Sequence, residues 1–338
     1  MRLNCSNTFA YLTCLALLAV TSVQAGEPGD DDDGENDGDG KREGGKRPER
    51  RPGKEARSRG APPDFANEKY GDHEAQAFDL WLAKSDKPTP LVVFIHGGGF
   101  RAGSKNAYDG GLAALCLQNG ISFASIEYRL TGIGHYPMQH HDCARAIQHL
   151  RHHAAKWNLD PKRIACTGGS AGAGLSEWLG FHDDLADPKS DDPIARQSTR
   201  IVCALPTNAQ CTYDPREIVK IVPGKAYDHP AMKALFNVPP TFDWTKDPIP
   251  PEVDERMKDC GPLSLLTKDD CPVYIVNNKA ACTDGNIHHG NFGKKLEEEM
   301  QKLGIECVRR MDSDFPVNGL SMSQEMLQFI QKHFANVK

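Results

Sequence analysis

The sequence predicts an α/β domain, with a mostly parallel, doubly wound sheet and helices on both faces. Three observations point there. From Phe65 onward, short apolar runs alternate with amphipathic stretches, the spacing of strand–helix units rather than of hairpins. Leu91 to Ile95 reads LVVFI, a continuous apolar run of the kind a strand covered on both faces requires. Glycine clusters then stand directly behind two such runs, at His96-Gly97-Gly98-Gly99-Phe100 and at Gly168-Gly169-Ser170-Ala171-Gly172.

Taken in order, residues 1–25 read as an export signal. A sparse basic start at Arg2 leads into the mostly apolar stretch Phe9 to Val23, and small residues end it at Ala25. The expectation is export to the periplasm or beyond, with no stable membrane insertion after cleavage. Residues 26–63 place an acidic block beside a basic one with no apolar residue able to seed a core, so this segment is expected to be a disordered charged linker. Residues 64–338 form the folded domain.

Within that domain, strands are expected at LVVFI, ISFASIEY, RIACTG, IVCALP, PVYIVNN and ECVRRM. Helices are expected at Asp109 to Gln118, His141 to Trp157, Gly293 to Leu303 and Ser323 to Phe334. Residues 214–262 break the rhythm. They are rich in proline and aromatic residues, with only short helical hints, as a lid or binding insertion would be.

Composition excludes some classes. A formal net charge of −6 argues against a dedicated nucleic-acid binder. No Cys/His spacing suits zinc, and neither a metal nor an organic cofactor is implied. Of the 11 cysteines, Cys5 and Cys14 fall in the leader. The odd number remaining implies a free thiol or an intermolecular bridge, and Cys260 and Cys271 are a possible pair.

The chemistry gathers at Ser170. G-x-S-x-G between a strand and a helix holds a serine on a sharp turn, with glycines where side chains would collide. The glycines behind LVVFI leave backbone N–H groups open to a substrate oxygen. HGGGF, then IEYRL (Ile126 to Leu130), then GGSAGAGL resemble, in this order, the hormone-sensitive-lipase-like branch of α/β-hydrolase esterases. The resemblance covers roughly Phe65 to Phe334. It implies the α/β-hydrolase fold, carboxylic-ester hydrolysis of a small-molecule or glycan-linked ester, and Ser170 as nucleophile. It further implies Gly98, Gly99 and Ala171 as oxyanion donors, Tyr128, Arg129 and Asp142 as braces, and 214–262 as a partial cap over the acyl pocket.

An acid and a histidine are needed to activate the serine. Asp284 is the only carboxylate in KAACTDGNIHHG, where the family keeps its acid. The family's late histidine is missing, and Asn318-Gly319-Leu320 stands where His-Gly-Phe is expected. His288 or His289 is the candidate base, oriented by Asp284 or, across the gap, by Asp312 or Asp314. His140-His141 and His152-His153 are expected to face solvent along their helix, as is His333 on the last one. The alternative function is a catalytically impaired hydrolase fold that binds acylated glycans or a protein partner.

Overall fold

The computed structural model describes residues 60–337. The expected export signal and the linker up to residue 59 lie outside the described residues. The chain is already tied at Ala61, whose carbonyl accepts from Trp81 Nε1 at 2.7 Å.

The elements run β1 (Phe65–Lys69), β2 (Ala77–Trp81), β3 (Thr89–Ile95), α1 (Gly110–Gln118), β4 (Ser122–Ile126), α2 (Met138–His152), β5 (Leu159–Gly169) and α3 (Ala171–Phe181). They continue with β6 (Ala204–Thr207), α4 (Pro215–Ile221), α5 (Pro230–Phe236), α6 (Pro251–Cys260), α7 (Pro262–Leu265), β7 (Val273–Asn277), α8 (Asn291–Lys302), β8 (Cys307–Met311) and α9 (Met322–Ala335). One sheet joins the strands in the order β1-β2-β4-β3-β5-β6-β7-β8. β1 and β2 pair antiparallel, as do β2 and β4, and every later pairing is parallel.

β3 shows why an unbroken apolar run was needed. Leu91, Val93 and Ile95 enter the core on one face with Cys143, Ile147 and Trp157, while Val92 enters the core on the other with Phe329 and Ile330. Side chains of a strand alternate between faces, so a strand with helices on both sides has no polar face to spare. Each such residue contributes about 1.5–3 kcal/mol of burial.

The helices begin where local chemistry allows. Asp109 accepts from the Gly111 N–H at 2.8 Å ahead of α1, and Ser321 and Gln324 form a reciprocal cap ahead of α9. α4, α5 and α6 each start with proline in the first turn, where the missing N–H costs nothing. These three helices make up about half of residues 214–262.

Some expectations change. The antiparallel β1–β2 pair was not anticipated. α2 starts at Met138 and stops at His152, and Ala154–Trp157 is a separate 3₁₀ turn. β6 begins only at Ala204. His140 does not face solvent. It is fully buried, because His140, Cys143, Ala144 and Ile147 fall on the core stripe of α2. His333 is also largely covered, packed against Phe329 at 4.4 Å. Cys260 and Cys271 are both free thiols, like the other described cysteines. No helix among the described residues is long and apolar enough to cross a membrane.

Candidate active site

Ser170 occupies the corner between β5 and α3 with φ 51° and ψ −119°, a conformation costing about 1–3 kcal/mol for a residue with a side chain. The surroundings enforce it. The Ser170 N–H donates to Thr207 O at 2.9 Å. A Cβ on Gly168 or on Gly172 would collide with the carbonyl oxygen of Ile95, the last residue of β3. The G-x-S-x-G glycines are thus required by the close approach of two strand ends, and a half-buried serine is left projecting at the tip.

The glycine turn behind β3 lies beside it. Gly98, Gly99 and Phe100 all have positive φ, at 101°, 57° and 62°. Arg101 and Ala102 both donate backbone N–H groups to Gly98 O at 3.0 Å, closing the turn. Tyr128 anchors its root by donating to His96 O at 3.0 Å and stacking on the His96 ring at 4.2 Å. His96 Nε2 lies 3.3 Å from Glu127 Oε1. Arg129 pairs bidentately with the buried Asp142, at 2.8 Å and 2.6 Å, and Gln76 Nε2 donates to the same carboxylate at 2.7 Å. Tyr128 therefore holds the root of the turn directly, while the Arg129–Asp142 pair fixes the segment that carries Tyr128. Ala171, as the first residue of α3, has an N–H with no intrahelical acceptor.

The loop after β7 delivers the imidazole. His288 Nε2 lies 2.8 Å from Ser170 Oγ. The loop is held by Asn286 Oδ1, which accepts from the His288 N–H at 2.8 Å, and by Gln210 Nε2, which donates to Ile287 O at 2.8 Å. Burial pushes the His288 pKa below its ordinary 6.5, and the charge of His229 pushes it the same way. His289 is turned to a different task, its Nδ1 accepting from the Asn291 N–H at the start of α8, at 3.1 Å.

The carboxylates do not join this pair. Asp284 is exposed, and among the described residues no hydrogen bond or ion pair links it to His288 or His289. Its backbone instead packs on the insertion, where the following Gly285 N–H donates to Pro223 O at 2.7 Å. Asp312 accepts from the Lys279 and Ser313 N–H groups, and Asp314 accepts from the Met311 N–H. Asp314 caps its own loop, and Asp312 reaches across the gap only to the Lys279 backbone, so among the described residues neither carboxylate is hydrogen-bonded to His288 or His289. Asn318 is an exposed turn residue with positive φ, remote in role from the late histidine it was aligned with.

A small apolar pocket of about 30 Å³ opens beside Ser170. Gly99, Phe100, Ser170 and Ala171 form one wall, and Ile218, Met232 and Ile287 line the other side. Ile218 and Met232 come from α4 and α5, so the 214–262 insertion contributes directly to the pocket. His229 and Gln210 also line it. Neither was singled out from the sequence, since one histidine before a proline in a long insertion carries no signal of where it lands. Among the described residues, no group of three or more His, Cys, Asp or Glu side chains is arranged to hold a metal ion.

Comparison with known proteins agrees with this architecture. The BD-FAE family model matches residues 78–281. Esterase LipC of Mycobacterium tuberculosis is 33% identical over 215 residues, covering 63% of this chain and 50% of LipC. Neutral cholesterol ester hydrolase 1 of Rattus norvegicus is 36% identical over 102 residues, 29% of this chain and 25% of the relative. The chain thus spans half or less of these curated relatives. Among solved structures, a truncated carbohydrate esterase from gut microbiota superposes with a TM-score of 0.64 at 18% identity, covering 81% of this chain and 99% of that one. Esterase 2 of Thermogutta terrifontis superposes with a TM-score of 0.56 at 20% identity, covering 82% and 94%. The fold is that of the α/β-hydrolases.

Proposed function

The chain belongs to the BD-FAE family, and from that premise we propose that it hydrolyses carboxylic esters through an acyl-enzyme on Ser170, with His288 as the base. The observation that carries this reading is the 2.8 Å contact between His288 Nε2 and Ser170 Oγ at a strained strand–helix corner. A nucleophile and base within hydrogen-bond reach is the geometric requirement for covalent catalysis by serine.

In this mechanism His288 takes the Ser170 proton as Oγ bonds to the ester carbonyl carbon. The resulting oxyanion is met by the N–H groups of Gly98, Gly99 and Ala171, where one such donor typically accounts for about 10²–10³ in rate. Collapse breaks the bond to the alcohol oxygen, which leaves with the proton from His288. Water then attacks the acyl-enzyme, passes a proton to His288 and releases the acid and the free serine. The lowered pKa of His288 keeps it neutral, hence able to accept a proton, near pH 7.

The pocket bounds the acyl group. A cavity of about 30 Å³ is only two or three times the roughly 10–15 Å³ that a water molecule needs, which favours short acyl chains. One structural neighbour is a truncated carbohydrate esterase and another an acetyl ester-xyloside bifunctional hydrolase, and a short ester on a glycan is the substrate this combination favours. The N-terminal pattern supports export to the periplasm or beyond as the setting.

A second reading has one observation in its favour. No carboxylate orients His288 among the described residues, as it would in an impaired fold that binds acylated glycans without cleaving them. Turnover of p-nitrophenyl acetate and labelling by a fluorophosphonate separate the two. Both should occur in the unsubstituted protein and vanish in Ser170→Ala with its melting transition intact. A protein that binds acylated oligosaccharide but shows neither signal is a binding module.

A further inference from the structure

We propose that Asn291 is a positioning residue of this site: by fastening the end of α4 to the start of α8, it holds one wall of the pocket closed and restricts turnover to esters of short acids. The inference rests on the hydrolase reading above and adds to it the residue that sets the acyl-length limit.

The wall is residues 218–226 of the insertion, since Ile218 and Ala226 both line the pocket beside Ser170. Ile287, in the loop after β7, and Phe292, in α8, line it as well. Between Ile218 and Ala226 the chain is tied to those two elements at two points. The Asn291 side chain, at the start of α8, donates from Nδ2 to Ile221 O at 2.8 Å, and the Gly285 N–H of the loop donates to Pro223 O at 2.7 Å. Ile221 ends α4, so its carbonyl is one of those that a helix leaves without an intrahelical partner. A carbonyl can only accept, which fixes the Asn291 amide with its nitrogen toward α4.

The fastening leaves little slack. At Gly224, with φ 81°, a Cβ would stand 2.6 Å from the Gly285 nitrogen, so the backbones of wall and loop meet there with no room for a side chain. Asn291 is itself held, because its own N–H donates to His289 Nδ1 at 3.1 Å. A cavity of about 30 Å³ between segments tied in this way widens only when a tie is released, since packed interiors do not deform continuously. A methylene that an apolar pocket fails to accommodate costs about tenfold or more in discrimination. Asn291 touches no reacting atom. Its effect reaches the substrate through Ile218 and Ala226, so its loss should change which acyl chains enter and leave the chemistry at Ser170 in place.

The test compares kcat and KM for the p-nitrophenyl esters of acetate, butyrate and hexanoate in the unsubstituted full chain, Asn291→Asp and Gly224→Ala. Asn291→Asp keeps the size of the side chain, the backbone contact with His289 and a residue favoured in the first turn of a helix, but sets an acceptor against Ile221 O. Gly224→Ala wedges the second tie independently of Asn291. The unsubstituted protein should prefer acetate over butyrate by about tenfold or more in kcat/KM. Both variants should narrow that preference about tenfold, chiefly through a lower KM for butyrate, while kcat on acetate stays within about threefold. Equal changes on every ester would reduce Asn291 to a structural residue, and an unchanged acetate-to-butyrate ratio in both variants would overturn the proposal. So would an unsubstituted protein that takes hexanoate as well as acetate. Where one variant loses its cooperative melting transition the other decides, and loss in both would make the ties a requirement of folding and not of selectivity. An unsubstituted protein that turns over no ester and takes up no fluorophosphonate removes the hydrolase reading itself, whereas turnover with unmoved selectivity removes only this inference.

Discussion

The loops after β7 and β8 leave neighbouring parallel strands at the same edge of the sheet, yet they do opposite things. The β7 loop is broad and tied at several points, by Gln210, Asn286 and Pro223, and it carries His288 to Ser170. The β8 loop turns mostly on itself, apart from Asp312, which accepts from the Lys279 N–H of the β7 loop at 2.8 Å. Asp314 caps the backbone at Met311, and Val317 and Leu320 pair across Asn318 and Gly319, whose φ values of 51° and 80° make a tight two-residue turn. In the resembled family the histidine comes from the second position, whereas here the imidazole within hydrogen-bond reach of Ser170, that of His288, comes from the first.

The largest expected effect separates the two histidines of the β7 loop. His288→Ala should lower kcat for p-nitrophenyl acetate by about 10³-fold or more, and adding Ser170→Ala should cost little further, since groups acting as a unit give non-additive losses. His289→Ala removes only an acceptor for the Asn291 N–H and should stay within about threefold, at a cost of about 1 kcal/mol in stability. Equal, large losses at both positions would mean that the loop, and not one imidazole, is what the site needs.

The next effect is in the pH profile. A base must be neutral to accept the serine proton, and the folded-state pKa of His288 lies below 6.5. Activity should therefore persist as pH falls through 6.5 and drop only once the lowered pKa is crossed. An acid limb of kcat/KM above 6.5 would contradict both the burial of His288 and the influence of His229.

Smaller effects probe the carboxylates and the β8 loop. Asp284→Asn should change kcat by less than about threefold, because the Asp284 carboxylate makes no contact with His288. A loss near the 10⁴-fold seen when a true triad aspartate becomes an amide would show that the loop rearranges to bring Asp284 in. The smallest effect is expected from Asn318→His. An imidazole on that exposed turn adds no base near Ser170, so turnover should not rise. The melting temperature should fall slightly, because histidine is less at ease than asparagine at positive φ. A large gain in activity would mean that the β8 loop still reaches the site.

Much of the fold was legible because burial leaves a direct imprint on composition. LVVFI could be read as a doubly covered strand, and the two glycine clusters marked the strand ends where the backbones of Ile95, Gly168 and Gly172 approach each other. The antiparallel β1–β2 pair was not legible. β1 is a partly exposed edge strand reading FANEK, with neither an apolar run nor clean alternation to betray it. His140 was misjudged because a histidine beside another polar residue resembles a solvated face until the stripe through Cys143, Ala144 and Ile147 is seen to point inward. In the site, the serine corner and the glycine turn were readable from adjacent residues, and the choice between His288 and His289 was not.

The sequence by itself determined the strand–helix alternation, the strained corner at Ser170 and the glycine turn facing it, since these depend on residues close together in the chain and on local steric limits. Only the tertiary structure decided that His288 faces Ser170 while His289 turns to the start of α8. It also decided that Asp284, Asp312 and Asp314 stay apart from the imidazole, and that His229 arrives from the insertion to line the pocket. Those outcomes depend on hydrogen bonds between segments far apart in the sequence, such as Gln210 to Ile287 and Gly285 to Pro223. A small shift there exchanges a contact with Ser170 for a contact elsewhere without altering any local pattern.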